Sequence, residues 1–522
     1  MQQIQSYLGG EWVVGEGPQT TLVNPSTEAS LASTSTRGLD FAGALSFARC
    51  NGGPALRAMT FAERGAMLRA LSEAVVAARN DLLELSMLNN GATRSDAKFD
   101  VDGASFTLAA YADLGESLGD RRYLVDGDAI ELLRSRRLAG LHVKTPHTGV
   151  AVHVNAYNFP AWGLAEKAAV ALLAGMPVIS KPATATAYVA HALTRALVSA
   201  DVLPQGAFSL VAGSPGDLLD HLTTGDVLAF TGSSAVGQSL RTLPHIVAGG
   251  VPVNVEADSV NAAVLGPDAE PGDPAWDMMV RDVFRDMTQK TGQKCTAIRR
   301  VMVPADGVDD VVEALVDSIS RLRVGDPFAE GVRMGPVVSA RQRDDVLQGL
   351  DRLSGAVTRV CGDGRPSELH GVDGDSGYFV GAHVFRAADP AAALAADPVH
   401  DHEVFGPAVT VLPYDGSSQG AVDLVARGKG GLVASVYSDD RSWTRDTAIG
   451  LAPWSGRVML GSAKIADSSP GPGTVLPQLV HGGPGRAGGG EELGGERGLD
   501  LYLQRTALQG YRPLLERLFD GT

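Results

Sequence analysis

Three cysteines occur in this chain of 522 residues, and Cys295 is the one whose neighbours could make it reactive. It follows a polar run at 288–293, with Lys290 and Lys294 close by. Cationic neighbours lower a thiol pKa from about 8.5 toward neutrality, and the thiolate is the nucleophilic form. The competing reading is a small buried hydrophobe, which is the one assigned to Cys50 and Cys361. Glu256 closes the apolar run 251–255. A carboxylate at the end of a strand is placed to take a proton from water, although a solvated loop acid fits the same spacing. The tract Thr231-Gly232-Ser233-Ser234-Ala235-Val236-Gly237 follows an apolar run and opens a helical one, so phosphates could approach helix N-terminal amides there. Gly483-Pro484-Gly485-Arg486-Ala487-Gly488 is a closer literal match to a dinucleotide fingerprint. It lacks a following helix and a surrounding βαβ unit, so it is read as a shaped loop.

These residues need elements to hold them. From residue 149 onward, apolar runs at 150–154, 178–180, 208–211, 227–230 and 251–255 alternate with helical stretches, which predicts a parallel sheet with crossover helices. Ligands of such sheets gather at the strands' carboxyl ends, where Asn158, Lys181 and Gly232 fall. Upstream, residues 60–90 read as helices: Thr60 and Glu63 suit a capping box, Met67, Leu71, Ala74, Val75 and Ala78 recur at helical spacing, and Gly91 suits a stop. The polar stretch 120–146 is expected as an extended hairpin arm. Its Arg134, Arg136 and Arg137 are read as a solvated face, with anion binding as the alternative. A Pro- and Gly-rich loop at 266–274 marks a boundary. A second alternating series then runs to about 461, with a helix at 311–319 and strands at 409–412 and 432–437. The tail 468–495 is expected as loop without helix or strand, and 499–508 as extended chain.

The bulk numbers exclude several roles. A net charge of −16 leaves no basic footprint for nucleic acid or an anionic membrane. An odd, scattered set of three cysteines argues against a disulfide framework and for a reducing compartment. The N-terminus lacks a signal pattern, and no stretch reaches the roughly 18 apolar residues of a membrane span, so a cytoplasmic protein is expected. No metal site is expected.

Six segments together resemble the aldehyde dehydrogenase superfamily over about residues 5–510. They are Asn155-Ala156-Tyr157-Asn158-Phe159-Pro160, Lys181-Pro182, Phe230-Thr231-Gly232-Ser233, Glu256-Ala257-Asp258-Ser259, Gly292-Gln293-Lys294-Cys295 and Glu403-Val404-Phe405-Gly406-Pro407. The resemblance implies an α/β fold: a Rossmann-like cofactor domain at 1–120 and 148–257, and an α/β catalytic domain at 258–467. A β oligomerisation arm and C-terminal extension would occupy 121–147 and 468–510, making a homodimer or dimer of dimers. It further implies that Cys295 attacks an aldehyde, that Asn158 and the Cys295 amide hold the oxyanion, and that Glu256 activates the hydrolytic water. Lys181 and Glu403 would hold cofactor ribose hydroxyls, Gly232 and Ser233 the pyrophosphate, and Phe405 the nicotinamide end. Glu492 matches a family position near the substrate mouth and is a second acid/base candidate, with a surface acid as the alternative. Thr184 stands where NAD-preferring relatives often carry a glutamate, so a 2′-phosphate meets no carboxylate and NADP is expected over NAD.

The phrases 292–300 and 476–485 are similar to the dehydrogenase half of the bifunctional ring-opening enzyme of phenylacetate degradation. That similarity implies a CoA-linked substrate, 3-oxo-5,6-dehydrosuberyl-CoA semialdehyde. The alternative is 3,4-dehydroadipyl-CoA semialdehyde of benzoyl-CoA epoxidation. Hydration and ring opening are expected from a separate enoyl-CoA hydratase-type protein. Two other readings compete. CoA-acylating relatives generally lack the glutamate present here as Glu256, and a catalytically silent binding relative would be expected to lose Cys295, Glu256 or Asn158.

Overall fold

The computed structural model describes residues 2–134 and 136–519. Its N-terminal helices start where the sequence signals them. Thr60 accepts from the Glu63 backbone N–H and the Glu63 carboxylate accepts from the Thr60 N–H, capping helix Phe61–Ala77. Helix Arg79–Asn90 stops at Gly91, whose φ of 68° is a left-handed conformation that glycine takes without strain. Phe61, Leu68, Leu71 and Val75 bury one face of the first helix in the core shared with helix Arg94–Leu118.

The first large sheet runs Val253–Glu256, Val227–Thr231, Ala151–Val154, Val178–Lys181, Phe208–Leu210, Ser6–Leu8, Glu11–Val13. Its first five strands are parallel and the last two form an antiparallel edge. The parallel strands are buried on both faces, which explains why they read as continuous apolar runs rather than alternating ones. Strand order reverses between Ala151–Val154 and Val227–Thr231, and such a switch point opens a crevice beyond the carboxyl ends. The second sheet runs Thr358–Cys361, His383–Arg386, Ala408–Tyr414, Ile298–Pro304, Asn261–Leu265, Gly431–Tyr437, Ser455–Gly461. All of its pairings are parallel except the first. Only residues 257–260 separate the two sheets in sequence, so Glu256 sits at their junction.

Leu124–Glu131 and Leu138–Pro146 form a hairpin, and Leu503–Tyr511 joins it antiparallel from the far end of the chain. Arg136 is exposed there and faces Glu131 at 3.5 Å. The tail differs from expectation. Val480–Gly482 and Glu491–Leu493 pair as two short antiparallel strands, and Gly495–Leu501 coils into a 3-10 helix, so the last strand begins at Leu503. Three-residue strands flanked by glycine carry too little periodicity to be read from sequence. Among the described residues no helix is long and apolar enough to cross a membrane.

Candidate active site

Lys290, Thr291 and Gly292 adopt consecutive left-handed conformations (φ 51°, 56° and 69°) just before Cys295. For the two non-glycine residues this costs about 1–2 kcal/mol each, so the surroundings must enforce it. They do. The Thr291 hydroxyl donates to Gly335 O at 2.9 Å, and Asn261 Nδ2 donates to Cys295 O at 2.7 Å and Ala297 O at 2.9 Å. The buried Arg299 guanidinium donates to Gly406 O at 2.9 Å, Gly292 O at 2.8 Å and Lys294 O at 3.1 Å. A Cβ at Gly292 would collide with the Gly406 carbonyl, so the nucleophile loop and the Glu403–Phe405 loop touch through bare backbone.

The lysines do not act on the thiol as the sequence suggested. Lys294 Nζ turns to Asp286 Oδ1 at 2.7 Å and Gln289 Oε1 at 2.8 Å, while Lys290 Nζ lies 4.4 Å above the Phe159 ring and 3.9 Å from Asp100. Burial, and then the Glu256 carboxylate, push the Cys295 thiol well above its ordinary pKa. Cys295 therefore rests as a thiol beside a base rather than as a standing thiolate.

That base is Glu256, at the end of its strand as expected and buried rather than solvated. Its carboxylate, the Cys295 sulfur and the His481 imidazole lie within 4.8 Å of one another. Burial works to raise the Glu256 pKa, but His481 first and Lys167 next outweigh it and hold the carboxyl below its usual range. Glu256 in turn raises His481 against the opposing effect of burial. Behind the pair, Lys167 Nζ stands 2.9 Å from Glu492 Oε2 and 3.5 Å from Glu166 Oε1. Glu492 is thus no surface acid, and its carboxylate lies within 4.8 Å of those of Glu256 and Glu166. It is buried, ion-paired, and accepts from Asn254 on the Glu256 strand. The glycine-rich loop that mimicked a dinucleotide fingerprint also serves this strand: Ala257 N donates to Ala487 O at 2.9 Å, and a Cβ at Gly488 would strike Val255 O.

A cavity of about 440 Å³ opens at the switch point, lined by Asn158, Gly232, Ser233, Glu256, Cys295 and Glu403 among others. Phe405 borders it too, edge-on to Tyr157 at 6.0 Å and with the Arg299 guanidinium 5.4 Å from its ring. Ser233 caps helix Ser234–Arg241, whose free amides face this end of the sheet. Burial pushes Glu403 up to about 7 despite Arg299, and its Oε2 accepts from Ser259 N at 3.0 Å. Lys181 and Thr184 lie one strand further along, outside this cavity. Lys181 ends Val178–Lys181, where burial lowers it to about 8, and Thr184 begins a 3-10 turn. Seven expected residues therefore converge, with Lys181 and Thr184 flanking them and Glu492 behind. His481, Lys167 and Glu166 were missed. The signal was a Glu-Lys pair inside the otherwise apolar helix Trp162–Ala174, where unpaired charge would be costly.

A thiol beside a buried carboxylate, opening onto a cavity with helix amides, suits covalent chemistry on a carbonyl next to a phosphate-bearing ligand. A family model described as "Aldehyde dehydrogenase family" matches residues 12–508. The chain is 45% identical over 482 residues to a 3,4-dehydroadipyl-CoA semialdehyde dehydrogenase of Aromatoleum evansii, covering 92% of this chain and 93% of that protein. It is 30% identical to an alpha-ketoglutarate semialdehyde dehydrogenase of Haloferax volcanii, covering 97% of this chain and 99% of that protein. An NAD+ complex of a Bacillus cereus aldehyde dehydrogenase superposes with a TM-score of 0.84 at 24% identity, covering 98% of this chain and 97% of that one, a likeness of fold.

Proposed function

This chain belongs to the aldehyde dehydrogenase family, and we propose that it oxidises a CoA-linked semialdehyde to the free acid with NADP as oxidant. The observation that carries this reading is the group of Cys295, Glu256 and His481, within 4.8 Å of one another, with Cys295 and Glu256 lining a cavity of about 440 Å³ beside the Ser233 cap. Glu256 accepts the Cys295 proton as sulfur adds to the aldehyde carbon, and the oxygen takes up negative charge beside the Asn158 amide and the Cys295 N–H. Once the thiohemiacetal has been oxidised to a thioester and Glu256 has released the thiol's proton to solvent, its carboxylate takes a proton from water and returns it to the departing sulfur. The hydroxyl adds to the carbonyl, and Cys295 leaves as the acid forms. Splitting the reaction into addition, oxidation and hydrolysis lowers each barrier.

The residues present suit a nicotinamide dinucleotide. The amides at the Ser233 cap would take its pyrophosphate, Glu403 and Lys181 its ribose hydroxyls, and Phe405 would back the nicotinamide. When bound, that group supplies the two-electron oxidation of the aldehyde carbon. Thr184 leaves a 2′-phosphate unopposed by a carboxylate and Lys181 offers it a cation, which favours NADP.

For the substrate, the relative from Aromatoleum evansii reverses the order expected from sequence. Its name matches 3,4-dehydroadipyl-CoA semialdehyde, which becomes the first choice, with the longer phenylacetate-derived semialdehyde second. A hydrolytic rather than CoA-acylating outcome follows from Glu256. The three-stranded arm, which leaves Ile130, Leu133 and Tyr511 exposed, is the surface proposed for pairing subunits. Steady-state assays with both CoA-linked semialdehydes and NADP test the substrate order: a higher kcat/KM for the longer one reverses it, and no turnover of either removes the CoA-linked reading.

A further inference from the structure

We propose that the cleft between helix Pro274–Thr288, the start of helix Arg94–Leu118 and the loop 327–333 binds the 3′-phosphorylated adenine nucleotide of a CoA thioester, and that an adjoining apolar crevice takes its pantetheine arm. The proposal rests on the CoA-linked reading above and gives it a place on the molecule.

The cleft measures about 910 Å³, roughly twice the cavity at Cys295. In a chain of net charge −16 it gathers Arg94, Arg281, Arg285 and Arg333. Two of these are partly engaged: Arg285 pairs with Asp282, and Arg281 donates to Ala466 O at 2.6 Å. Arg94 and Arg333 are exposed, and among the described residues neither side chain has a hydrogen bond or ion pair. Guanidinium groups held without a partner at the rim of one cleft are the fork donors that phosphate oxygens fit. Phe328 lies in the same cleft with half of its surface exposed, offering a flat apolar face on which a purine can stack.

The second feature is an apolar surface beside the cleft. A crevice of about 420 Å³ shares Ser95 and Gln289 with the cleft and is walled by Phe99, Phe106, Trp162, Val475 and Leu476. Its far wall belongs to the nucleophile loop's surroundings. Gln289 accepts from Lys294, the residue before Cys295, and Thr296, the residue after it, donates to Gly473 O at 2.8 Å beside the 474–476 wall. Neither the cleft nor the crevice shares a lining residue with the cavity that holds Cys295 and Gly232, so the carrier nucleotide would not compete with the dinucleotide. The arginines, the Phe328 face and the open apolar crevice beside them match the phosphates, the purine and the pantetheine arm of a CoA thioester.

The test uses the full chain saturated with NADP, titrated calorimetrically with adenosine 3′,5′-bisphosphate, and compares wild type with R94A/R333A. Both arginines are exposed, so an unchanged melting temperature serves as the folding control. The double variant is expected to weaken bisphosphate binding by about 10-fold or more. It should raise KM for the CoA-linked semialdehyde by a similar factor relative to KM for a CoA-free aldehyde on the same preparation. Phe328→Ala should shift the same ratio in the same direction. Absence of bisphosphate binding to wild type, or binding that R94A/R333A leaves unchanged, overturns the cleft. Binding through the arginines without turnover of any CoA-linked semialdehyde instead sinks the functional reading while the nucleotide site stands.

Discussion

His481 Nε2 stands 3.3 Å from Glu256 Oε1, with both side chains buried. Carboxylates confined away from water ordinarily gain protons, which would leave a general base inert. Here the imidazole, backed by Lys167, reverses that tendency and keeps Glu256 ionised next to a thiol that burial keeps protonated. The proton on Cys295 thus has an acceptor in contact before substrate arrives.

Removing the cation should move the base. In His481→Phe the Glu256 carboxyl rises toward the value burial alone would give, so the acid limb of kcat/KM against pH shifts upward. At pH 6 activity falls about 10-fold or more, consistent with the usual contribution of a general base. A uniform loss with an unmoved profile would show that His481 only packs. The stability linkage has two signs. The depressed Glu256 stabilises the fold above its unfolded pKa of about 4.3, an effect lost as pH falls through the folded value. The raised His481 stabilises it below about 6.5, an effect lost as pH rises through its folded value.

Glu256→Gln separates the two halves of the reaction. With the hydrolytic base gone, release of acid should slow by roughly 10²–10⁴, and at a pH high enough to ionise the Cys295 thiol without its base, mass spectrometry of the denatured enzyme should find an acyl group on Cys295. An enzyme that turns over at the wild-type rate would remove Glu256 from the reaction, and an inactive enzyme without adduct would place its essential role at deprotonation of Cys295 rather than at hydrolysis.

Asn158→Ala deletes one proposed oxyanion donor at the cavity that holds Cys295. Its kcat should drop by about 10²–10³. A variant that loses KM alone would reassign Asn158 to substrate binding.

Thr184→Glu places a carboxylate where the 2′-phosphate of NADP is expected. The ratio of kcat/KM for NADP over NAD should fall by about 10-fold or more, as loss of a charge-assisted contact predicts. A wild-type enzyme already more efficient with NAD would contradict the NADP assignment before any variant is made.

Arg299→Met tests the brace beneath the nucleophile. It strands the carbonyls of Gly292, Lys294 and Gly406 and leaves Glu403 without its buried cation. The expected cost is about 3–5 kcal/mol, read as lost denaturation free energy together with reduced turnover. Unchanged stability would mean that Glu403, already raised to about 7, simply takes a proton.

Local chemistry decided what could be read from sequence. The Thr60–Glu63 cap and the Gly91 stop were legible from neighbouring residues alone, whereas Cys295 and Glu256 taken singly fitted a buried thiol and a loop acid, and only the resemblance of six segments to the aldehyde dehydrogenases joined them with Asn158. Lys294 misled because sequence proximity says nothing of direction: its ammonium turns to Asp286 rather than to the thiol. His481 sits in a three-residue strand within a glycine-rich stretch, and its partner lies 225 positions away in sequence (481 minus 256), so only the fold brings the two into contact. Lys167, Glu166 and Glu492 form their network from two distant segments, and the adjacent Glu166 and Lys167 inside the otherwise apolar helix Trp162–Ala174 were its sole trace.

The central claim is hydrolytic oxidation of a CoA-linked semialdehyde. The most direct measurement supplies the purified enzyme with 3,4-dehydroadipyl-CoA semialdehyde and NADP in heavy-oxygen water, with no added CoA. The predicted result is one NADPH formed per acid released, with at least one heavy oxygen in the new carboxylate and the existing CoA thioester intact. Strict dependence on added CoA, or an acid without the heavy label, would contradict it.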